Sequence, residues 1–95
     1  MIRHIVFFKL RDSSEENKQK IKDIILPLKE KIDIIKFYQV GINFSNEARA
    51  YDLALISDFD SIEDLNKYAS HPEHLKAISL LKDEGVITKI VDYEY

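Results

Sequence analysis

Split by parity, the first ten residues place Ile2, His4, Val6, Phe8 and Leu10 on one face of an extended segment and Arg3, Ile5, Phe7 and Lys9 on the other. β-branched and aromatic residues dominate both sets, which predicts a strand that is apolar on two sides. Ser13 and Glu16 have the spacing of a capping box, and Ile21, Ile24, Ile25, Leu28 and Ile32 then recur at helical intervals. Lys18, Lys20, Lys22, Asp23, Lys29 and Glu30 fill the other positions, so an amphipathic helix with a solvated outer face is expected. Pro27 removes one backbone donor inside that pattern and predicts a kink or a restart there.

Ile34 to Ile42 and Tyr51 to Phe59 read as the second and third strands, joined by the polar stretch Asn43 to Ala50. Asp60 with Glu63, or Ser61 with Asp64, opens a helix carrying Ile62, Leu65 and Tyr68 that ends near Ser70. Pro72 disfavours helical geometry at His71 and suits the first turn of a new helix, which shows Leu75, Ile78 and Leu81 and stops at Gly85. Val86 to Tyr93 completes the chain as a fourth strand.

The order is βαββαβ over residues 1–95, one α+β domain with an antiparallel sheet and no linker or internal repeat. Helices on one side of that sheet leave its other face bare, yet the strands are apolar on both faces. A domain this small also buries only roughly 60–65% of its unfolded surface. A second copy packed sheet against sheet, burying on the order of 1,600 Å² or more, resolves both problems. A symmetric homodimer enclosing a barrel is therefore expected. Dissociation is expected from a charge at Val6 or Leu55 if these face the partner.

Composition narrows the partners. Fourteen Lys and Arg against 17 Asp and Glu leave a net charge of −3, which offers no general field for nucleic acid or an anionic membrane. The chain contains no cysteine, so disulfides, thiolate zinc sites and cysteine nucleophiles are excluded, and a reducing cytoplasmic setting is the natural one. Neither a membrane span nor a signal peptide is expected. No Gly-rich phosphate loop, serine nucleophile elbow or haem-attachment motif points to a cofactor. His71, Glu73 and His74 lie close together, but Pro72 breaks the register that would aim both imidazoles one way, so no metal is expected.

Particular segments resemble a known family, the stress-responsive dimeric α/β-barrel (Dabb) domain. Ile2 to Leu10 looks like its first strand, Val40-Gly41 like the close of its second, Tyr51 to Phe59 like its third, and Tyr68-Ala69-Ser70-His71-Pro72-Glu73-His74 like its most diagnostic segment. Members often carry Ile-Pro-Gly before strand two, where this chain has Ile32-Asp33-Ile34. The resemblance implies a ferredoxin-like fold, a dimeric α/β barrel and a cavity between sheet and helices. It also implies that Tyr68 and His74 take the catalytic places that the family's plant polyketide cyclase uses for an intramolecular aldol closure.

The residues themselves support two readings of this site. Tyr68 continues the Ile62, Leu65 stripe and His74 lies one turn before Ile78, so both polar tips should meet in one apolar interior, a base beside a hydroxyl donor. A plain structural tie across the broken helix accounts for the same placement. His4, grouped by parity with Val6 and Phe8, is either a pocket wall residue or a satisfied core histidine. Asp92 shares parity with Thr88 and Ile90 and reads in two ways: a buried carboxylate that needs a partner, for which a histidine such as His74 is suited, or a solvated strand end. With Leu55 added, His4, Val6, Phe8, Leu55 and Asp92 are the expected binding residues. His71 reads as a helix-entry residue. Two functions follow: acid/base chemistry on a hydrophobic carbonyl compound in an apolar pocket, or a noncatalytic ligand-binding or stress-protective dimer whose core Phe7, Phe8, Phe37, Tyr38 and Tyr51 fill.

Overall fold

A computed structural model describes residues 1–95. The chain runs β1 (Ile2–Lys9), α1 (Glu15–Ile25), α2 (Leu28–Lys31), β2 (Phe37–Ile42), β3 (Leu53–Phe59), α3 (Ile62–Ser70), α4 (Pro72–Asp83) and β4 (Ile87–Glu94). All ladders are antiparallel and the strands lie in the order β2-β3-β1-β4. The two central strands are neighbours through a crossover, and β2 and β4 form the edges.

Local chemistry explains the boundaries. The Ser14 hydroxyl, not that of Ser13, caps α1 by accepting from the Asn17 N–H, and Ser61 caps α3 by accepting from Asp64. α1 stops at Leu26 and the helix restarts after Pro27, as a missing N–H in mid-helix demands. Gly85 leaves α4 at φ 72°, a backbone region that suits glycine. Strands two and three are shorter than their apolar patterns. Ile34 and Ile35 serve instead as turn residues packed on the core, and Asp52 leaves the ladder to accept the Leu10 N–H at 2.7 Å.

One sheet face packs under the helices. Ile2, Val6, Phe8, Tyr38, Val40, Leu53, Leu55 and Phe59 are buried there against Ile21, Ile25, Leu28, Ile32, Tyr68, Ala77 and Leu81. Val6 and Leu55 thus face the helices of their own chain, not a partner, because the even residues of β1 share the face that α1 to α4 cover. Lys18 is also an exception to the solvated outer face: it is buried, with its ammonium donating to the Asn43 carbonyl and to Glu15, both at 3.3 Å. A lysine stem covers apolar surface while its charge finds oxygens at the rim.

The second face is uncovered. Cross-strand rows there read Gln39–Ile56–Ile5–Val91 and Gly41–Ala54–Phe7–Lys89, flanked by Phe37–Asp58–Arg3–Tyr93. Phe7, Phe37, Val91 and Tyr93 are exposed. In the third row Arg3 grips Asp58 with two hydrogen bonds of 2.8 Å, and the Tyr95 hydroxyl donates to the same carboxylate at 2.7 Å.

Candidate active site

The register places one polar row on the helix-covered face. Tyr38, Ser57, His4 and Asp92 stand side by side across all four strands, and the next row, Val40–Leu55–Val6–Ile90, is wholly apolar. Above these rows lies a cavity of about 160 Å³ whose wall is mostly aliphatic and aromatic. His4, Tyr38, Tyr68 and His74 bring polar atoms to it, and Val6, Phe8 and Leu55 line it as well. Ile90 also lines it and is 58% exposed, so the cavity reaches the surface along the edge strand β4.

Two helix breaks equip this cavity. An interrupted helix frees carbonyls whose usual donors, three or four residues on, are lost. At the first break the Lys29 N–H turns to the Leu26 carbonyl, and the Tyr38 hydroxyl donates to the freed Ile25 carbonyl at 2.8 Å. At the second, Pro72 has no N–H and the Glu73 N–H donates to the His71 ring at 3.1 Å. The Ala69 carbonyl therefore accepts from His74 Nδ1–H at 2.9 Å. That bond leaves Nε2 as the nitrogen able to take a proton.

The rings meet closely. The His74 and Tyr68 centroids are 4.5 Å apart at an interplanar angle of 49°, and His4 meets Tyr68 edge-on at 6.1 Å. Tyr68 is 2% exposed, and burial pushes its hydroxyl up to about 12, partly opposed by the adjacent Tyr38 hydroxyl. Tyr38 is raised too, by burial first and then by Tyr68. Both phenols are therefore protonated donors at neutral pH. Burial holds the His74 imidazole below its ordinary value, against the Ala69 hydrogen bond and with the charges of His4 and His71. Its place in the first turn of α4, at the positive end of the helix dipole, acts the same way.

Asp92 departs from expectation. Its carboxylate hydrogen-bonds His4 Nδ1, its directly opposite neighbour on β1, and does not reach His74. It also stands behind His4 instead of lining the cavity. The reason lies in the register, which sets Asp92 beside His4 while His74 hangs from the helix layer above. The bond fixes the His4 ring and leaves its Nε2 free. The aromatic residues divide likewise: Phe8 and Tyr38 line the cavity, whereas Phe7 and Phe37 stand on the open sheet face, with Tyr51 packed beside Phe7. No group of three or more His, Asp or Glu side chains is arranged to hold a metal ion.

A family model described as the stress responsive A/B barrel domain matches residues 2–95. The chain belongs to that family. An uncharacterised protein of Streptomyces coelicolor is 32% identical over the full length of both chains. A solved structure from Bacteroides fragilis, described as a dimeric protein of unknown function with a ferredoxin-like fold, is 38% identical. It aligns with a TM-score of 0.80 over 99% of this chain and 95% of that one. A dimeric ferredoxin-like protein of Thermobifida fusca is 24% identical, with a TM-score of 0.83 over 99% and 90% of the two chains. As a stress-responsive A/B barrel domain the chain has the ferredoxin-like α+β fold, and its structural neighbours are dimeric. Sequence reading of this domain missed two parts of the site: the His4–Asp92 pair, which the strand register would have revealed, and Tyr38, whose hydroxyl is called into the site by the break at Pro27.

Proposed function

We propose that this protein performs acid/base chemistry on a small hydrophobic carbonyl compound, as a homodimer in the cytoplasm. The observation that carries the reading is the convergence of a protonated phenol and a neutral imidazole, with His4 and Tyr38 beside them, in a cavity whose wall is mostly apolar. An apolar cavity of about 150 Å³ accommodates a single benzene-sized ring. This one, at about 160 Å³, suits a ring-sized ligand or a short chain of similar bulk.

His74 Nε2 takes a proton from the carbon beside the carbonyl, and the electron pair moves onto the carbonyl oxygen. Tyr68 donates a hydrogen bond to that oxygen as its charge grows, and keeps its own proton because burial raises it far above neutrality. His4, steadied by Asp92, orients the substrate from the sheet side. The enolate then either attacks a second carbonyl in the same molecule, closing a ring as the family resemblance implies, or, in a substrate with a further double bond conjugated to it, takes the proton back at the far carbon of that system. Either route returns the proton from His74, so the enzyme is regenerated.

The second reading, a noncatalytic ligand-binding or stress-protective dimer, draws support from the same aliphatic wall, which would hold an apolar ligand without any reaction. Turnover of a carbonyl library by purified protein separates them. His74→Ala should lower the rate roughly 100- to 10,000-fold, and Tyr68→Phe, which keeps the ring, should lower it less. Binding of ring-sized apolar compounds with no turnover would favour the second reading. A substrate turned over equally fast by His74→Ala would refute the first.

A further inference from the structure

The acid/base reading gives no task to His71, the histidine at the break between α3 and α4. His71 lies outside the cavity, part-exposed, with extended backbone at φ −62° and ψ 136°. Its N–H donates to the Tyr68 carbonyl at 3.1 Å, and its own carbonyl accepts from Leu75 at 3.0 Å. Its ring Nδ1 accepts the Glu73 N–H at 3.1 Å, which makes it the N-cap of α4.

The Ala69 carbonyl has two natural donors within a helix, the N–H groups of residues 72 and 73. Proline supplies none at the first position. The imidazole of His71 engages the second. His74 Nδ1–H is left as the donor that the Ala69 carbonyl accepts, at 2.9 Å.

We infer that His71 is a positioning residue for His74: by holding the Glu73 N–H as the cap of α4, it reserves the Ala69 carbonyl for His74 and fixes that imidazole in its Nδ1–H tautomer. The functional meaning rests on the acid/base reading, since only the Nδ1–H tautomer presents Nε2 as a base. The structural content does not. Histidine is a poor fit to the usual N-cap preferences, which favour Ser, Thr, Asp and Asn. Its planar ring takes up the Glu73 N–H from a backbone that Pro72 already holds extended.

Two-bond 1H–15N correlation spectra of the histidine rings, recorded above the pH at which they titrate, read the tautomers directly. In the wild-type protein His74 should show the Nδ1–H pattern. His71→Ala, which removes the acceptor, should move the His74 nitrogens toward the averaged positions of a ring exchanging between both tautomers. His71→Asp, which restores a strong cap acceptor, should return the Nδ1–H pattern. A His74 ring that stays wholly Nδ1–H in folded His71→Ala overturns the inference, as does its loss in folded His71→Asp. If His71→Ala does not fold, the His71→Asp spectrum alone decides by the same criterion. These spectra do not depend on turnover, so failure of the carbonyl reading, seen as unchanged rates in His74→Ala, is told apart from failure of the positioning role.

Discussion

At the scale of single residues, the charge state of His74 governs what the cavity can do. Burial holds the imidazole below its ordinary value, with His4 and His71 acting the same way against the Ala69 hydrogen bond. The catalytic rate should therefore rise with pH, with the midpoint of the rise below the usual histidine titration near about 6.5. A pH–rate profile with its acid limb centred above that value would contradict the assignment. Folding is linked in the same sense. Between the folded and unfolded values the unfolded chain binds more protons, so the contribution of His74 is complete above about 6.5 and is lost as pH falls through the folded value. Thermal midpoints of His74→Gln should accordingly fall less steeply on acidification than those of the wild type. Ser57 makes a second test. Its hydroxyl is fully buried and has no hydrogen-bond partner, although Tyr38 and His4 flank it in the register. Ser57, His4 and Asp92 thus adjoin in a row without forming a nucleophilic triad. Ser57→Ala should leave stability within about 1 kcal/mol of wild type or raise it, because an unsatisfied buried hydroxyl carries a desolvation cost; urea unfolding measures this. The Tyr68 and His74 placement was legible from helical spacing alone. The partner of Asp92 was not, because parity gives the face a side chain occupies and only strand register gives its neighbour.

At the scale of elements, the breaks matter as much as the helices. Pro27 and Pro72 were both readable as interruptions, and each frees a carbonyl that a site side chain then engages. What the pattern could not show is which side chain arrives, since Tyr38 and His74 come from different layers of the fold. Strand lengths were overestimated where Ile34 and Ile35 continued an apolar run, because turn residues that plug the core look like strand residues in a one-dimensional pattern. Capping was misplaced by one residue: Ser14→Ala should cost about 1 kcal/mol and Ser13→Ala little, by the same urea titration. Gly41 in β2 offers a sharper test. A Cβ there would meet nothing within 4 Å in its own chain, and its backbone lies outside the left-handed region. A glycine inside a strand often marks the close approach of another chain. Gly41→Leu should keep the protomer folded by circular dichroism and weaken dimerisation by sedimentation, whereas a dimer of unchanged affinity would show that nothing packs on that position.

At the scale of the whole molecule, the sheet separates two jobs. Its covered face carries the cavity, and its open face carries Ile5, Phe7, Ile56 and Val91 beside the Arg3–Asp58 pair. The two-sided apolar strands foretold this division, though not which parity served which face; Val6 and Leu55 belong to the cavity, so the charges that should dissociate the proposed homodimer belong at Ile5 or Phe7. Ile5→Glu should give a monomeric mass at micromolar concentration, and the wild-type thermal midpoint should rise with protein concentration, as coupled folding and association require. The central claim, however, is that the cavity moves protons. It is tested most directly by dissolving ring-sized ketones such as cyclohexanone and acetophenone in D2O with the protein and following loss of the proton signals beside the carbonyl by NMR. Wild-type protein should accelerate this exchange well above buffer alone, and His74→Ala, still a folded dimer, should remove the acceleration. Exchange no faster than buffer for ketones shown to bind in the cavity, or equal acceleration by His74→Ala, would contradict it.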